Sequence, residues 1–193
     1  WLNTPSKATL NIHFSLLPKY RGSLCISEAL KNGDQQTGVT LMEMGEKLDA
    51  GAIIAQQTVD IDLQDDNASL NAKLSERAKT LLIEKLPPYL NELISATPQD
   101  ESKIVITPSY KTRTKQNAFI SYETLQKAQN GLEALNTHNL IRSLNPDPGA
   151  WTIIDQREVK ILKTTIKNNQ LTIDLVQVAG KNPVSWATFS QNN

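Results

Sequence analysis

Thr9 to Phe14 reads Thr-Leu-Asn-Ile-His-Phe, and the alternation predicts a strand that runs into a loop over residues 15–22 containing Pro18 and Gly22. Ser23 stands where it can cap a helix through Leu30 that stops at Asn32-Gly33. Val39 to Met44 and Ala52 to Ile61 read as two further strands, joined by a polar turn holding Asp49 and Gly51. Asp65, Asp66 and Asn67 supply acceptors and negative charge where a helix N-terminus wants them. Leu70, Leu74, Ala78, Leu81 and Leu82 then follow at helical spacing, the clearest periodicity in the chain. Pro87-Pro88 predicts a kink or an end to that helix, with 89–94 continuing in a new direction.

From Ser95 to Pro108 the sequence is polar and aperiodic and reads as a linker. Beyond it, Glu123 to Leu144 predicts one or two helices broken at Gly131, and Asn145-Pro146-Asp147-Pro148-Gly149 predicts a turn. Four alternating pieces follow, at 151–154, 159–166, 171–178 and 184–189, which suggests a small barrel or sandwich.

Charge sharpens this division. The total is zero, yet residues 1–107 hold 10 basic and 14 acidic side chains, a net −4, and residues 108–193 hold 10 basic and 6 acidic, a net +4. The expected arrangement is therefore two units, 1–95 and 109–193, joined by a linker over 96–108. A single cysteine, Cys25, excludes an internal disulfide framework and fits a reducing compartment. No apolar run approaches the roughly 18 residues of a membrane span, and no basic-then-apolar leader opens the chain. A cytoplasmic protein is the expectation. The first residue is Trp1, which suggests a processed chain or one lacking sequence upstream.

The candidate chemistry lies at the first strand. Positions two apart on a strand share a face, so Asn11 and His13 project together just before the loop. An amide donor and an imidazole there could hold a developing oxyanion, and a carboxylate such as Asp49 could orient the imidazole or take up a proton. Spacing alone leaves other roles open: an Asn-x-His pair arises by chance, and Asp49 beside Gly51 fits an ordinary turn residue. His138 reads as exposed, Cys25 as a small buried side chain, and no His/Cys/Glu grouping has metal-ligand spacing.

The stretch Asn11-Ile12-His13-Phe14-Ser15-Leu16-Leu17-Pro18-Lys19-Tyr20-Arg21-Gly22 resembles the signature of the folate-dependent formyltransferases. Gly33-Asp34, Thr37-Gly38-Val39-Thr40 and Leu48-Asp49-x-Gly51 continue the pattern at matching spacing. Pro98-Gln99-Asp100, the run Ile141 to Ala150, Gly180-Lys181 and Ser185-Trp186 resemble the branch of that family acting on methionyl-tRNA. The resemblance implies an α/β fold: the C-terminal portion of a Rossmann-like formyltransferase domain, followed by a small OB-like β-barrel. It implies transfer of a formyl group from 10-formyltetrahydrofolate to the amino group of methionyl-tRNA, without a metal. Asn11, His13 and Asp49 match the family's catalytic positions, and Ser15, Leu16, Leu17 and Pro18 its folate-binding segment. Arg21 and Gly22 would contact substrate. A domain of this kind opens with a dinucleotide-binding-type half ahead of the Asn-x-His strand, so the chain is expected to be a partial sequence or a split-gene product. The expected oligomeric state of the complete protein is a monomer.

Lys111, Arg113 and Lys115 form a basic run, and Lys160 and Lys163 lie in the strand-rich region. These residues, with Arg142, are the expected tRNA contacts, since lysine and arginine on a small barrel suit a phosphate backbone. Where this family usually has Asp-Trp, the chain has Ser121-Tyr122. A nucleotide-sugar amine formyltransferase and a non-catalytic RNA-binding remnant remain as other readings.

Overall fold

The computed structural model describes residues 5–108 and 110–191; Trp1 and the expected boundary at 109 lie outside them. The chain divides into two compact units. Unit 1 comprises residues 1–29, 34–62 and 69–110, and unit 2 comprises 30–33, 63–68 and 111–193.

Unit 1 is built on an antiparallel sheet of β1 (Leu10–His13), β2 (Gln36–Glu43) and β3 (Ile53–Asp60), in that order. Helix α1 (Cys25–Lys31) separates β1 from β2, and α2 (Asn67–Leu90) follows β3. Six of the eight β2 residues are buried, as a central strand covered on both faces requires, and its apolar contribution is Val39, Leu41 and Met42. Among the described residues β1 pairs with β2 only, so it is an edge strand. The β2–β3 register slips between Leu41 and Met42, a bulge that bends the hairpin just before the turn carrying Asp49.

Helix α2 buries Leu70, Leu74, Ala78, Leu81 and Tyr89 along one stripe, and Asp66 caps its start by accepting from the Ala68 amide at 2.9 Å. The prolines do not end it at residue 87. They fall in its last turn, and the helix reaches Leu90 before the chain turns at Glu92 with φ +59°. Residues 96–108, expected as a linker, hydrogen-bond to unit 1 at several points. Thr97 and Ile53 exchange two bonds of 2.8 Å, the Arg21 amide donates to Val105, and the Thr107 amide donates to Arg21.

Unit 2 is an antiparallel sheet in the order β4 (Trp151–Ile154), β5 (Arg157–Lys167), β6 (Gln170–Val178) and β7 (Val184–Ser185). It is joined by α3 (Tyr122–Gln129), α4 (Ala134–Leu144) and α5 (Trp186–Gln191). Gly131 breaks the α3–α4 run at φ +91°, as expected. Leu125, Ile141, Val159, Ile161, Ile173 and Val176 are at the centre of its core. Register shifts in β5 between Ile161 and Thr164 increase its local twist. The expected strand over 184–189 is a strand for two residues only. Ser185 Oγ accepts from the Thr188 amide at 3.1 Å and starts α5, which stacks Trp186 on Phe189 three positions later.

His138 corrects a second expectation. It is 2% exposed. Its Nε2 donates to the Leu63 carbonyl at 2.8 Å, and its Nδ1 lies 2.8 Å from the Thr164 hydroxyl. The polar helix around it hides a buried stripe, and the two bonds satisfy both ring nitrogens. Burial holds its imidazole below the ordinary histidine range. The folded form therefore favours the neutral ring. That stability is present above the unfolded value of about 6.5 and is lost as pH falls below it. His138→Gln keeps a donor and an acceptor without titrating, so its Tm should vary less than wild type as pH falls below about 6.5. Equal slopes in the two proteins would contradict this.

Candidate active site

The end of β1 and the β2–β3 turn place three of the expected side chains together within unit 1. His13 is 7% exposed, and its Nε2 donates to the Tyr20 carbonyl at 2.9 Å. A carbonyl oxygen only accepts, so Nε2 carries the proton and Nδ1 is the ring atom turned to the site. Nδ1 lies 3.7 Å from Asp49 Oδ2. The same Oδ2 accepts from the Gly22 amide at 2.8 Å. Asn11 and Asp49 line one cavity of about 210 Å3, whose apolar wall is Met42, Met44 and Leu48. Asp49 sits at φ +47°, a left-handed conformation that aspartate tolerates better than most residues but that still costs energy.

Several residues hold this geometry. Thr40 is fully buried on β2; its hydroxyl donates to the Ser15 carbonyl at 2.6 Å and accepts from the Leu17 amide at 3.2 Å. Gln56 Nε2 donates to the Leu17 carbonyl at 2.9 Å and to Thr40 Oγ1 at 2.8 Å. Gly38 leaves room for Leu16, whose side chain would meet any Cβ at that position. Leu17 and Ser15 are buried and Leu16 packs on Gly38, so the loop up to Pro18 presents backbone more than side chains.

Arg21 is also placed differently from expectation. It is 6% exposed, and its Nε and Nη2 donate to Gln99 Oε1 at 3.0 and 2.7 Å. Nη2 also donates to Glu101 at 2.8 Å, which holds that carboxyl below its usual range. The guanidinium is spent on protein partners, because a buried charge must be paired. Gly22 likewise gives its amide to Asp49. Cys25 is buried beside the site, and burial pushes its thiol up to about 11, which leaves it un-nucleophilic. Thr40, Gln56 and Gln99 carry the scaffold; the sequence signals for them were Thr40 within Thr37-Gly38-Val39-Thr40 and Gln99 within Pro98-Gln99-Asp100, and Gln56 had none.

Unit 2 holds the other expected contacts. Arg142 is buried, donating to Asn139 Oδ1 at 2.9 Å and to the Asp65 carbonyl at 3.3 Å, so it serves the interior of unit 2 and not a surface ligand. Arg113 donates to the carbonyls of Ser143 and Asp147 and braces the turn before Gly149. Lys115 is exposed, bonds Glu158 at 2.6 Å and lies over the Trp151 ring at 5.1 Å. Lys111 and Lys163 are exposed, and Lys160 is half-buried on β5. Among the described residues, no helix is long and apolar enough to cross a membrane.

Comparison with known proteins places this geometry. The family described as "Formyl transferase" matches residues 1–86, and "Formyl transferase, C-terminal domain" matches residues 131–172. A methionyl-tRNA formyltransferase of Lactobacillus acidophilus is 35% identical over 192 residues, covering 100% of this chain and 58% of its own length. The chain spans about half the length of the curated relatives it matches. Two solved structures share the fold. The Helicobacter canadensis N-formyltransferase, in complex with folinic acid and dTDP-3-aminofucose, aligns with TM-score 0.64 at 24% identity, over 82% of this chain and 55% of its own. The methionyl-tRNA formyltransferase from Clostridium thermocellum aligns with TM-score 0.63 at 16% identity, over 89% and 68%. With both family descriptions matched in order and a relative aligned along the whole of this chain, the chain belongs to the formyl transferase family.

Proposed function

We propose that the protein transfers a formyl group from 10-formyltetrahydrofolate to the amino group of methionyl-tRNA, in the cytoplasm. The observation that carries this is the convergence of Asn11, His13 and Asp49. The His13 Nδ1–Asp49 Oδ2 distance is 3.7 Å, and Asn11 and Asp49 line one cavity.

The roles follow from what each group can donate or accept. When the amine attacks the formyl carbon, negative charge builds on the formyl oxygen. The Asn11 amide donates to that oxygen. His13 has already given Nε2–H to Tyr20, so it serves through Nδ1, with the Asp49 carboxylate beside it. Asp49 accepts the proton lost by the amine, which returns to the folate nitrogen as the carbon–nitrogen bond breaks. The Met42, Met44 and Leu48 wall suits a flat donor, and Thr40 and Gln56 hold the backbone of the Ser15–Pro18 loop in place. The H. canadensis relative binds folinic acid, which supports this reading.

Residues 1–95 then form the catalytic part, and residues 109–193 an OB-like tRNA-binding domain in a protein that is a monomer. A nucleotide-sugar amine is the competing acceptor, and the 35% and 39% identities to methionyl-tRNA enzymes favour the tRNA. A formylation assay of the complete protein on methionyl-tRNA and on a dTDP-amino sugar decides between them. Product from the sugar alone would overturn the tRNA reading. Product from neither would favour an RNA-binding remnant.

Of the basic residues, Lys160 and Lys163 are the better contacts, because Arg113 and Arg142 are engaged by unit 2 itself and Lys115 bonds Glu158. Replacing Lys160 and Lys163 together by alanine should weaken tRNA binding and flatten the log Kd–log salt slope by about 1.5, close to one counterion per lost contact. An unchanged slope would rule out this face.

A further inference from the structure

Gln99 lies in the stretch expected to be a linker, yet it is 8% exposed and every polar group of its amide is used. Its Nε2 donates to the Asp49 carbonyl at 2.8 Å and to the Gly51 carbonyl at 2.8 Å. Its Oε1 accepts from Arg21 Nε and Nη2 at 3.0 and 2.7 Å. The amide can face only one way, since two carbonyls need donors and the guanidinium needs an acceptor. Residues flanking these partners touch the same carboxylate: the turn between the two carbonyls bears Asp49, and Gly22, next to Arg21, donates its amide to Asp49 Oδ2. Gln99 thus ties together the two segments that fix Asp49 Oδ2, one through its backbone and one through its hydrogen-bond donor. The Asp49 turn is held at φ +47°, a conformation that needs such external support.

We propose that Gln99 is a positioning residue for formyl transfer, acting through Asp49 by locking the 49–51 turn to Arg21. This rests on the formyl-transfer reading above. Gln99 does not line the cavity beside Asn11 and Asp49. Its loss should therefore leave substrate affinity nearly intact and lower turnover.

The test uses the complete protein and two readouts. The first is steady-state kinetics with methionyl-tRNA and 10-formyltetrahydrofolate. Gln99→Leu should lower kcat by about 100-fold, the scale of an ångström's misplacement, with KM for either substrate changed less than threefold. In an Asp49→Asn background, the same substitution should lower kcat by less than threefold further, because its route to the chemistry is already cut. A full 100-fold further loss in that background, or a matching rise in KM, would overturn the proposal. The second readout is hydrogen exchange at the Gly22 amide, which needs no activity. Exchange should quicken at least tenfold in Gln99→Leu while core amides of β2 are unchanged. Unchanged exchange at Gly22 overturns the proposal, and equal quickening in β2 shows plain unfolding and overturns it as well. If wild type transfers no formyl group, the functional reading fails, while the exchange experiment still decides whether Gln99 positions Asp49.

Discussion

His13→Ala is expected to lower formyl transfer by at least about 10²–10³ in kcat, the usual loss when one oxyanion donor is removed. The substitution deletes two things. It removes the Nδ1 that faces Asp49 at 3.7 Å, and it removes the Nε2–H that ties the end of β1 to the Tyr20 carbonyl. The second effect is structural, so His13→Gln is the informative companion. A glutamine amide can reach the Nε2 position and keep a donor near Tyr20 but offers no imidazole to Asp49. If chemistry at Nδ1 is what matters, both variants lose turnover alike. The measurement is single-turnover formylation of methionyl-tRNA with enzyme in excess. Wild-type turnover in either variant would remove His13 from the reaction.

Gly51→Ala is expected to damage both stability and activity. A Cβ at Gly51 meets the Glu43 backbone carbonyl head-on, with Met42 Cε close behind. Backbone cannot swing aside as a side chain can, so the β2–β3 connection must open. Overpacking of this kind costs about 1–3 kcal/mol and sometimes more. Gly51 also gives its carbonyl to Gln99, so the displaced turn carries Asp49 away from His13. Chemical denaturation should show the lowered midpoint, and formylation should fall by more than the loss of folded protein explains. Wild-type stability would mean that the turn is looser than its contacts indicate.

The legibility of the chain followed the strength of its periodicities. The strands of both sheets and helix α2 could be read from alternation and from the Leu70–Leu81 stripe, because each buries one face against a core. α5 could not, because Val-Ser-Trp-Ala-Thr-Phe satisfies a two-residue period and an i, i+3 ring pair equally well over so short a run. The trio Asn11, His13 and Asp49 was visible as motif, but the atom His13 uses was not. That depends on a carbonyl seven residues on that occupies Nε2. Arg21 and Arg142 read as substrate contacts, because sequence cannot show a partner such as Gln99, 78 residues from Arg21. Gln99 itself looked like linker polarity for the same reason: its amide is spent on two backbone carbonyls and on Arg21, far away in sequence.

The most direct measurement is the additivity of Asn11→Ala, His13→Ala and Asp49→Asn in single-turnover formylation by the complete protein. Groups that act as one unit on one developing charge lose nearly everything at the first substitution. The prediction is that the triple variant transfers formyl only slightly more slowly than the weakest single variant. Three losses that simply multiply, or singles that retain wild-type rates, would contradict a shared site at Asn11, His13 and Asp49.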